Sequence, residues 1–314
     1  MNEKNELVVG IDLDADYTTI SMLRKESTAW NAHQLKVSMV YTITNLGELI
    51  YGETAINYAL IHGKNTKTMP YEYGMDKVVE ENGFSYTIEE LYTEFFRYLS
   101  VLTNSISKEK IASIVVSIFD EGLSVQHILR KAMTNAGIKV WSIIAKPVAA
   151  ILALIINRGY ADTECNILSL VLNDRQIECC SVECGDGVID ILAIEKMSLQ
   201  DLKENIGPDL EKLIYRLAEI SRLEFGMMFE NVNIIQICTN SNELSNETKE
   251  YLKENIKKNI VYGDTSNQSS VGAMMQAAKL IGNKNTQEWL LLNAFPYSLK
   301  VLIKEKATNA VNEI

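Results

Sequence analysis

The sequence predicts an α/β protein built from two similar halves that face each other across a central cleft. Three observations carry this expectation. Residues 6–24, ELVVGIDLDADYTTISMLR, read as strand, tight turn and strand, with acids crowded at the turn. A second strand, turn and strand starts at Asn166 and turns at Asn173-Asp174-Arg175. Each opening is followed by the same order of third strand, long helix, buried strand, helix, strand and a final Ala-rich helix. Such a duplication, with βαβ connections inside each half, implies two α/β lobes. Ligands of open α/β sheets lie at the carboxyl ends of the strands, so the two turns are expected to meet at the cleft.

In chain order, residues 33–51 contain LKVSMVYTI and LGELIYG, two strands joined at Asn45-Leu46-Gly47. A short helix is expected over 53–61 and a polar, irregular stretch over 63–83. Thr87 and Glu90 form a capping box that opens a long helix with Leu91, Phe95, Leu99 and Leu102 on one stripe. The near-continuous apolar run 111–119 predicts a buried strand. Residues 124–136 predict a helix closed by Gly137, and 139–144 a strand. Pro147 starts a helix whose apolar run ends before Gly159. The second half predicts strands at 167–172, 177–182 and 188–194, the last two joined through Gly185-Asp186-Gly187. A helix over 198–225, interrupted at Gly207-Pro208, carries Leu210, Leu213, Ile214, Leu217 and Ile220 on one face. A strand at 232–238, a helix at 247–258, a short strand at 260–262 and a helix at 269–281 complete it. The lobes are expected to span 1–160 and 161–288, leaving 289–314 as a tail.

Composition narrows the function. The chain has 314 residues, 47% of them apolar and 23% charged, which is ordinary for a globular protein. A formal net charge of -11 argues against nucleic acid as a partner. No apolar run reaches membrane-spanning length and MNEKNE is no signal peptide, so no membrane partner and a cytoplasmic location are expected. Four cysteines cluster at Cys165, Cys179, Cys180 and Cys184, with Cys238 apart, and they read as reduced core residues. The histidines, His33, His62 and His127, have no ligand spacing with them, so no metal is expected.

The local motifs carry a resemblance. VVGIDLDADYTTI resembles a first phosphate loop whose usual form is G-I-D-L-G-T-T. YGETAINYALIHGKNT resembles an F-G-x-x-A, N-P-x-N-T segment. Residues 111–154 resemble a strand, helix, strand and N-E-P-T-A-A-A helix. SVGAMMQAAKL resembles a closing Y-G-A-A-x-Q-A helix, and WLLLNAFPYSLKVLI an L-L-L-x-D-V-x-P-L-S-L linker. These motifs, collinear over nearly the whole chain, are similar to the nucleotide-binding domain of the 70-kilodalton heat-shock (DnaK-type) chaperones. The resemblance implies a duplicated actin-like ATPase (ribonuclease H-like) fold. The short stretch 195–230 implies a reduced outer subdomain in the second lobe.

The resemblance holds for framework positions and fails for those that grip ATP. By it, the nucleotide-binding positions are Asp12, Leu13, Asp14, Ala15, Asp16, Tyr17, Asn173, Asp174, Thr239 and Asn240. Asp12 is kept, but the loop glycine is Asp14 and the hydroxyls are Ala15 and Asp16. A carboxylate beside a phosphate charge costs about 4 kcal/mol per charge pair at surface-like dielectric. The family's lysine has no counterpart in Lys67-Thr68-Met69-Pro70-Tyr71, and its catalytic glutamate falls on Lys146. The second loop falls on residues 171–176 with no glycine, and the adenosine G-G-S on Cys238, Thr239 and Asn240. These departures imply a chaperone-like pseudo-ATPase that binds or scaffolds proteins, with no catalytic residues and no cofactor. Two alternatives stay open: a divergent ATPase that still binds ATP and Mg, and an actin-like filament former.

For the first turn three readings stand: a solvated acidic turn, a cation site, or an ion pair in the cleft between Lys146 and Asp14 or Asp16. The pattern lacks the later glycine and glutamate of an EF-hand loop. Ser117 and Ser124 have no His–Asp company that would make a nucleophile. Phe95, Phe96 and Tyr98 read as core and rim. The tail, with Trp289, Leu291, Phe295 and Leu299, either docks on the second lobe or offers an edge strand to a partner protein or a second copy.

Overall fold

In the computed structural model, which describes residues 6–25, 27, 29–70, 78–119, 123–173, 176–198, 206–240, 244–283, 289–293, 302–304 and 311–313, two large sheets organise the chain. The first half runs β1 (Glu6–Leu13), β2 (Tyr17–Arg24), β3 (His33–Ser38), β4 (Val40–Ile43), β5 (Leu49–Tyr51), α1 (Gly52–His62), β6 (Lys67–Thr68), β7 (Val78–Glu81), β8 (Phe84–Thr87), α2 (Ile88–Ser107), β9 (Lys110–Ile118), α3 (Leu123–Asn135), β10 (Val140–Ala145) and α4 (Lys146–Arg158). The second runs β11 (Cys165–Leu172), β12 (Gln176–Gly185), β13 (Val188–Ser198), α5 (Ile206–Phe225), β14 (Val232–Thr239), α6 (Asn246–Ile256), β15 (Asn259–Asp264) and α7 (Thr265–Leu280). Beyond them come β16 (Leu290–Asn293), β17 (Leu302–Lys304) and β18 (Val311–Glu313).

The sheet orders are β10-β9-β1-β2-β3 and β15-β14-β11-β12-β13-β16. In both, a three-stranded antiparallel meander is flanked by two parallel strands. This mixed α/β architecture is compatible with an actin-like ATPase fold. Strand alternation sorts the side chains into layers. Leu7, Val9, Ile11 and Leu13 join the core under α2 and α3, while Val8 faces the α4–α7 side. On β11, Ile167 faces α4 and α7, and Leu168, Leu170 and Leu172 pack with α5.

Helices α4 and α7 lie between the sheets, and two glycines set how close they come. A Cβ on Gly272 would lie 1.7 Å from the Ala149 carbonyl oxygen of α4. One on Gly10 of β1 would lie 2.2 Å from Met274 N of α7. Buried polar contacts tie the same layer: Ser21 and Ser270 hydroxyls lie 2.8 Å apart, and Gln236 Nε2 donates to Ala150 O at 3.2 Å.

Several expectations are corrected. LKVSMVYTI is two strands, because Met39 changes sheets: its N–H donates to Asp16 O at 2.8 Å, and its carbonyl accepts from Met69 N at 2.8 Å. The stretch expected to be irregular contains β6 and β7. Gly207-Pro208 does not interrupt a helix; it lies in the first turn of α5, where the missing proline N–H breaks no helical bond. Residues 199–205 of that expected helix lie outside the described residues. The Thr87–Glu90 capping box is present at α2. Asp186 and Gly187, at φ +49° and +76°, make the hairpin between β12 and β13. All five cysteines are free and buried. No described helix is long and apolar enough to cross a membrane.

For the tail, β16 adds in parallel to β13, and Leu290 N donates to Gly187 O at 2.7 Å. Trp289 is buried with its ring centroid 6.2 Å from that of Trp30. Leu291 packs inward, whereas Leu290 and Leu292 are exposed. Phe295 and Leu299 lie outside the described residues.

Candidate functional site

The carboxyl ends of β1, β9, β11 and β14 converge, as the contacts among Asp12, Ser117, Asp14, Asn173 and Asn240 show. Register places Asp12 of β1 opposite Ser117 of β9. The turns after β1 and β11 have the same backbone bond: Asp14 N donates to Tyr17 O at 3.2 Å, and Asn173 N to Gln176 O at 3.1 Å. Lys146 is the first residue of α4, capped by Ala145 without a side-chain bond. A cation there opposes the helix dipole, so other charges must hold it.

Those charges are Asp12 and Asp14. Lys146 Nζ lies 2.9 and 3.0 Å from the two Asp12 oxygens and 3.0 Å from Asp14 Oδ2. Lysine and Asp12 are fully buried, and Asp14 almost so. The ammonium also sits 4.7 Å from the Phe119 ring centroid. Ser117 Oγ donates to Asp12 Oδ1 at 2.7 Å. Asp14 accepts from Ala15 N at 2.7 Å, Asn173 Nδ2 at 3.4 Å and Asn240 Nδ2 at 2.6 Å. Ala15, Phe119, Ala150, Val171 and Cys238 form a small apolar cluster of their own, drawn from both halves.

Two carboxylates against one ammonium leave one excess negative charge in a buried place, and the titration follows. Burial raises the Asp12 carboxyl from 3.8 to about 6, against the pull of Lys146 and with the push of Asp14. Burial also acts to raise Asp14, but Lys146 and the bonds from Asn240 and Ala15 outweigh it and its pKa is lowered. Burial acts to lower Lys146, yet the two carboxylates outweigh it and the lysine stays an ammonium. Burial pushes the Cys238 thiol beneath up to about 12.

Of the other residues singled out in the sequence, Asp16 is exposed at the turn and outside the ion cluster; Asp12 stands in its place. The reason is the turn: β1 ends at Leu13, and the chain reverses over residues 14–16, leaving Asp14 and Ala15 buried and Asp16 exposed at the corner. Leu13 is packed in the core under α2, away from the cluster, and Tyr17 is exposed with Lys36 Nζ 4.2 Å from its ring centroid. Thr239 and Asn240 border a cleft of about 360 Å³ with Lys249, Tyr262 and Asp264. Asp174 lies outside the described residues. Sequence reasoning did not find Ser117 as a partner of Asp12, which strand register supplies, nor the two asparagines as partners of Asp14, which packing of the two sheets supplies. Among the described residues no group of three or more His, Cys, Asp or Glu side chains is placed to hold a metal.

Fold and site together define an α/β protein with an acid–lysine–amide cluster at the carboxyl ends of its two central sheets. Its sequence is similar to Chaperone protein DnaK of Thermotoga neapolitana, 27% identical over 201 residues, which is 62% of this chain and 33% of that protein. The same figures hold for Chaperone protein DnaK of Thermotoga petrophila and of Thermotoga maritima. The chain spans about a third of the length of these relatives. No family model matches it.

Proposed function

We propose that this chain is a pseudo-ATPase related to the nucleotide-binding domain of heat-shock chaperones. Its two lobes, residues 1–160 and 161–288, would form a duplicated actin-like body with a reduced outer subdomain in the second. It would act in the cytoplasm as a protein-binding or scaffolding module.

One observation carries this reading: the side chains of Asp14 and Lys146 fill the point where the turns of the two halves meet. A divalent cation would need the Asp12 and Asp14 oxygens that the ammonium already holds. A phosphate would need the backbone of the first turn, which carries a carboxylate where a glycine would let it approach. The residues present therefore do not fit a metal–phosphate group, and no hydrolytic step is derived through one.

Calorimetry with ATP and magnesium tests the reading. No heat of binding at millimolar nucleotide is the expected result; micromolar binding overturns it. The cleft beside Asn240, with Tyr262 and Lys249 on its wall, favours the divergent ATP-binding ATPase as the second reading, and the same titration separates the two. An actin-like filament former would sediment as polymer. For the tail, size-exclusion chromatography of a chain ending before Trp289 separates self-association from docking alone, since an unchanged oligomeric state excludes the former.

A further inference from the structure

We propose that Asp14 is an internal latch that holds the cleft between the two halves shut without a ligand. The proposal rests on the reading that the chain's own side chains fill the site.

A carboxylate offers about four lone-pair sites. Asp14 has four donors: Ala15 N and Asn173 Nδ2 on Oδ1, Lys146 Nζ and Asn240 Nδ2 on Oδ2. Two belong to the first half and two to the second, so the carboxylate is saturated only when the halves are together.

The asparagines are oriented for this from their own side. Asn173 Oδ1 accepts from Gln176 N at 2.9 Å, which turns its Nδ2 toward the first half. Asn240 Oδ1 accepts from Ser266 Oγ at 3.5 Å, and its backbone N–H donates to Leu172 O at 3.3 Å. Each amide thus presents its donor edge across the cleft, and Asp14 supplies the acceptor.

The two halves also meet along α4 and α7, starting one helical turn from Lys146. Helices α4 and α7 touch backbone to backbone at Gly272 and Ala149, and one apolar core runs from Val8 and Val115 to Ile167 and Val182. A motion along that contact would part the turn at Asp14 from Asn173 and Asn240 while leaving the Asp14–Lys146 pair intact. The polar links that oppose it at the turn are the two amide bonds, of which the short Asn240 bond to the carboxylate is the stronger, beside the small apolar cluster of Ala15, Phe119, Ala150, Val171 and Cys238.

The test is hydrogen exchange on the full chain without nucleotide, comparing wild type with Asn240→Ala and, as a second variant, Asn173→Ala. Amides of the turns around 14–17 and 173–176 are expected to exchange about tenfold faster in both variants, with α4 and α7 unchanged and a larger radius of gyration in solution scattering. Unchanged exchange overturns the latch. So does acceleration throughout the chain, which would mark these bonds as general stability. Because no nucleotide is present, this result is independent of the ATP titration: binding of ATP by wild type would remove the proposed function, while flat exchange would remove the latch.

Discussion

Lys146 Nζ lies 3.0 Å from Asp14 Oδ2, across 132 residues of chain, in a place closed to solvent. The lysine at the head of α4 and the acid after β1 each stand where they would be unfavourable alone: a cation at a helix N-terminus, and a carboxylate without water. Together with Asp12 they form a cluster from which the lysine cannot be removed alone without cost.

Lys146→Met strands two carboxylates in the core and is expected to destabilise the protein by about 3–5 kcal/mol in urea denaturation. The triple variant Asp12→Asn, Asp14→Asn, Lys146→Met, which removes all the charges, is expected to recover a large part of that loss. Additive losses would contradict the cluster as described.

The pH dependence has a definite sign. Asp12 rises from 3.8 to about 6 on folding, chiefly through burial, so the folded protein binds that proton more tightly than the unfolded chain. Its contribution to stability is greatest below pH 3.8, falls between 3.8 and about 6, and stays low above. Asp14 acts in the opposite sense. Its folded value is lowered, so its contribution is present above 3.8 and is lost as pH falls through the folded value. Carbon-13 NMR is expected to give Asp12 a midpoint of about 6. Stability relative to Asp12→Asn should decline over that window by on the order of 3 kcal/mol; a midpoint at the ordinary value rejects the assignment.

Gly272→Ala places a methyl against the Ala149 carbonyl, 1.7 Å from its ideal position. The clash is with backbone, so a side-chain rotation does not relieve it, and a loss of about 3 kcal/mol is expected in thermal or chemical denaturation. Gly10→Ala meets Met274 N at 2.2 Å and is expected to behave alike.

Trp289→Ala empties a buried site against Trp30 beside the edge strand β16. A loss of about 3–5 kcal/mol is expected by chemical denaturation. A loss below 1 kcal/mol, on the order of a surface substitution, would mean that the tail is not docked in solution.

Much of the architecture was legible in the chain. The apolar run of residues 7–11 marks β1 as a strand, and the structure buries both its faces, Leu7, Val9 and Ile11 on one and Val8 on the other. The Thr87–Glu90 box and Gly159 mark helix ends because capping is a local bond pattern. Met39 was not legible, because a strand that changes sheets keeps its pattern and alters only its partners.

At the site, the sequence by itself determined which residues stand at the strand ends: the acids after β1, Lys146 before Pro147, and Asn173 and Asn240 after β11 and β14. It also determined that glycines are missing from both turns. Which acid meets the lysine was decided only in three dimensions. The turn that follows Leu13 buries Asp14 and leaves Asp16 at the exposed corner, and the register of β1 on β9 brings Ser117 to Asp12. Packing of α4 against α7 brings the second half's amides to Asp14. Local bonding follows from sequence order; the contacts across the cleft follow from how two sheets and two helices pack, which no single stretch of chain encodes.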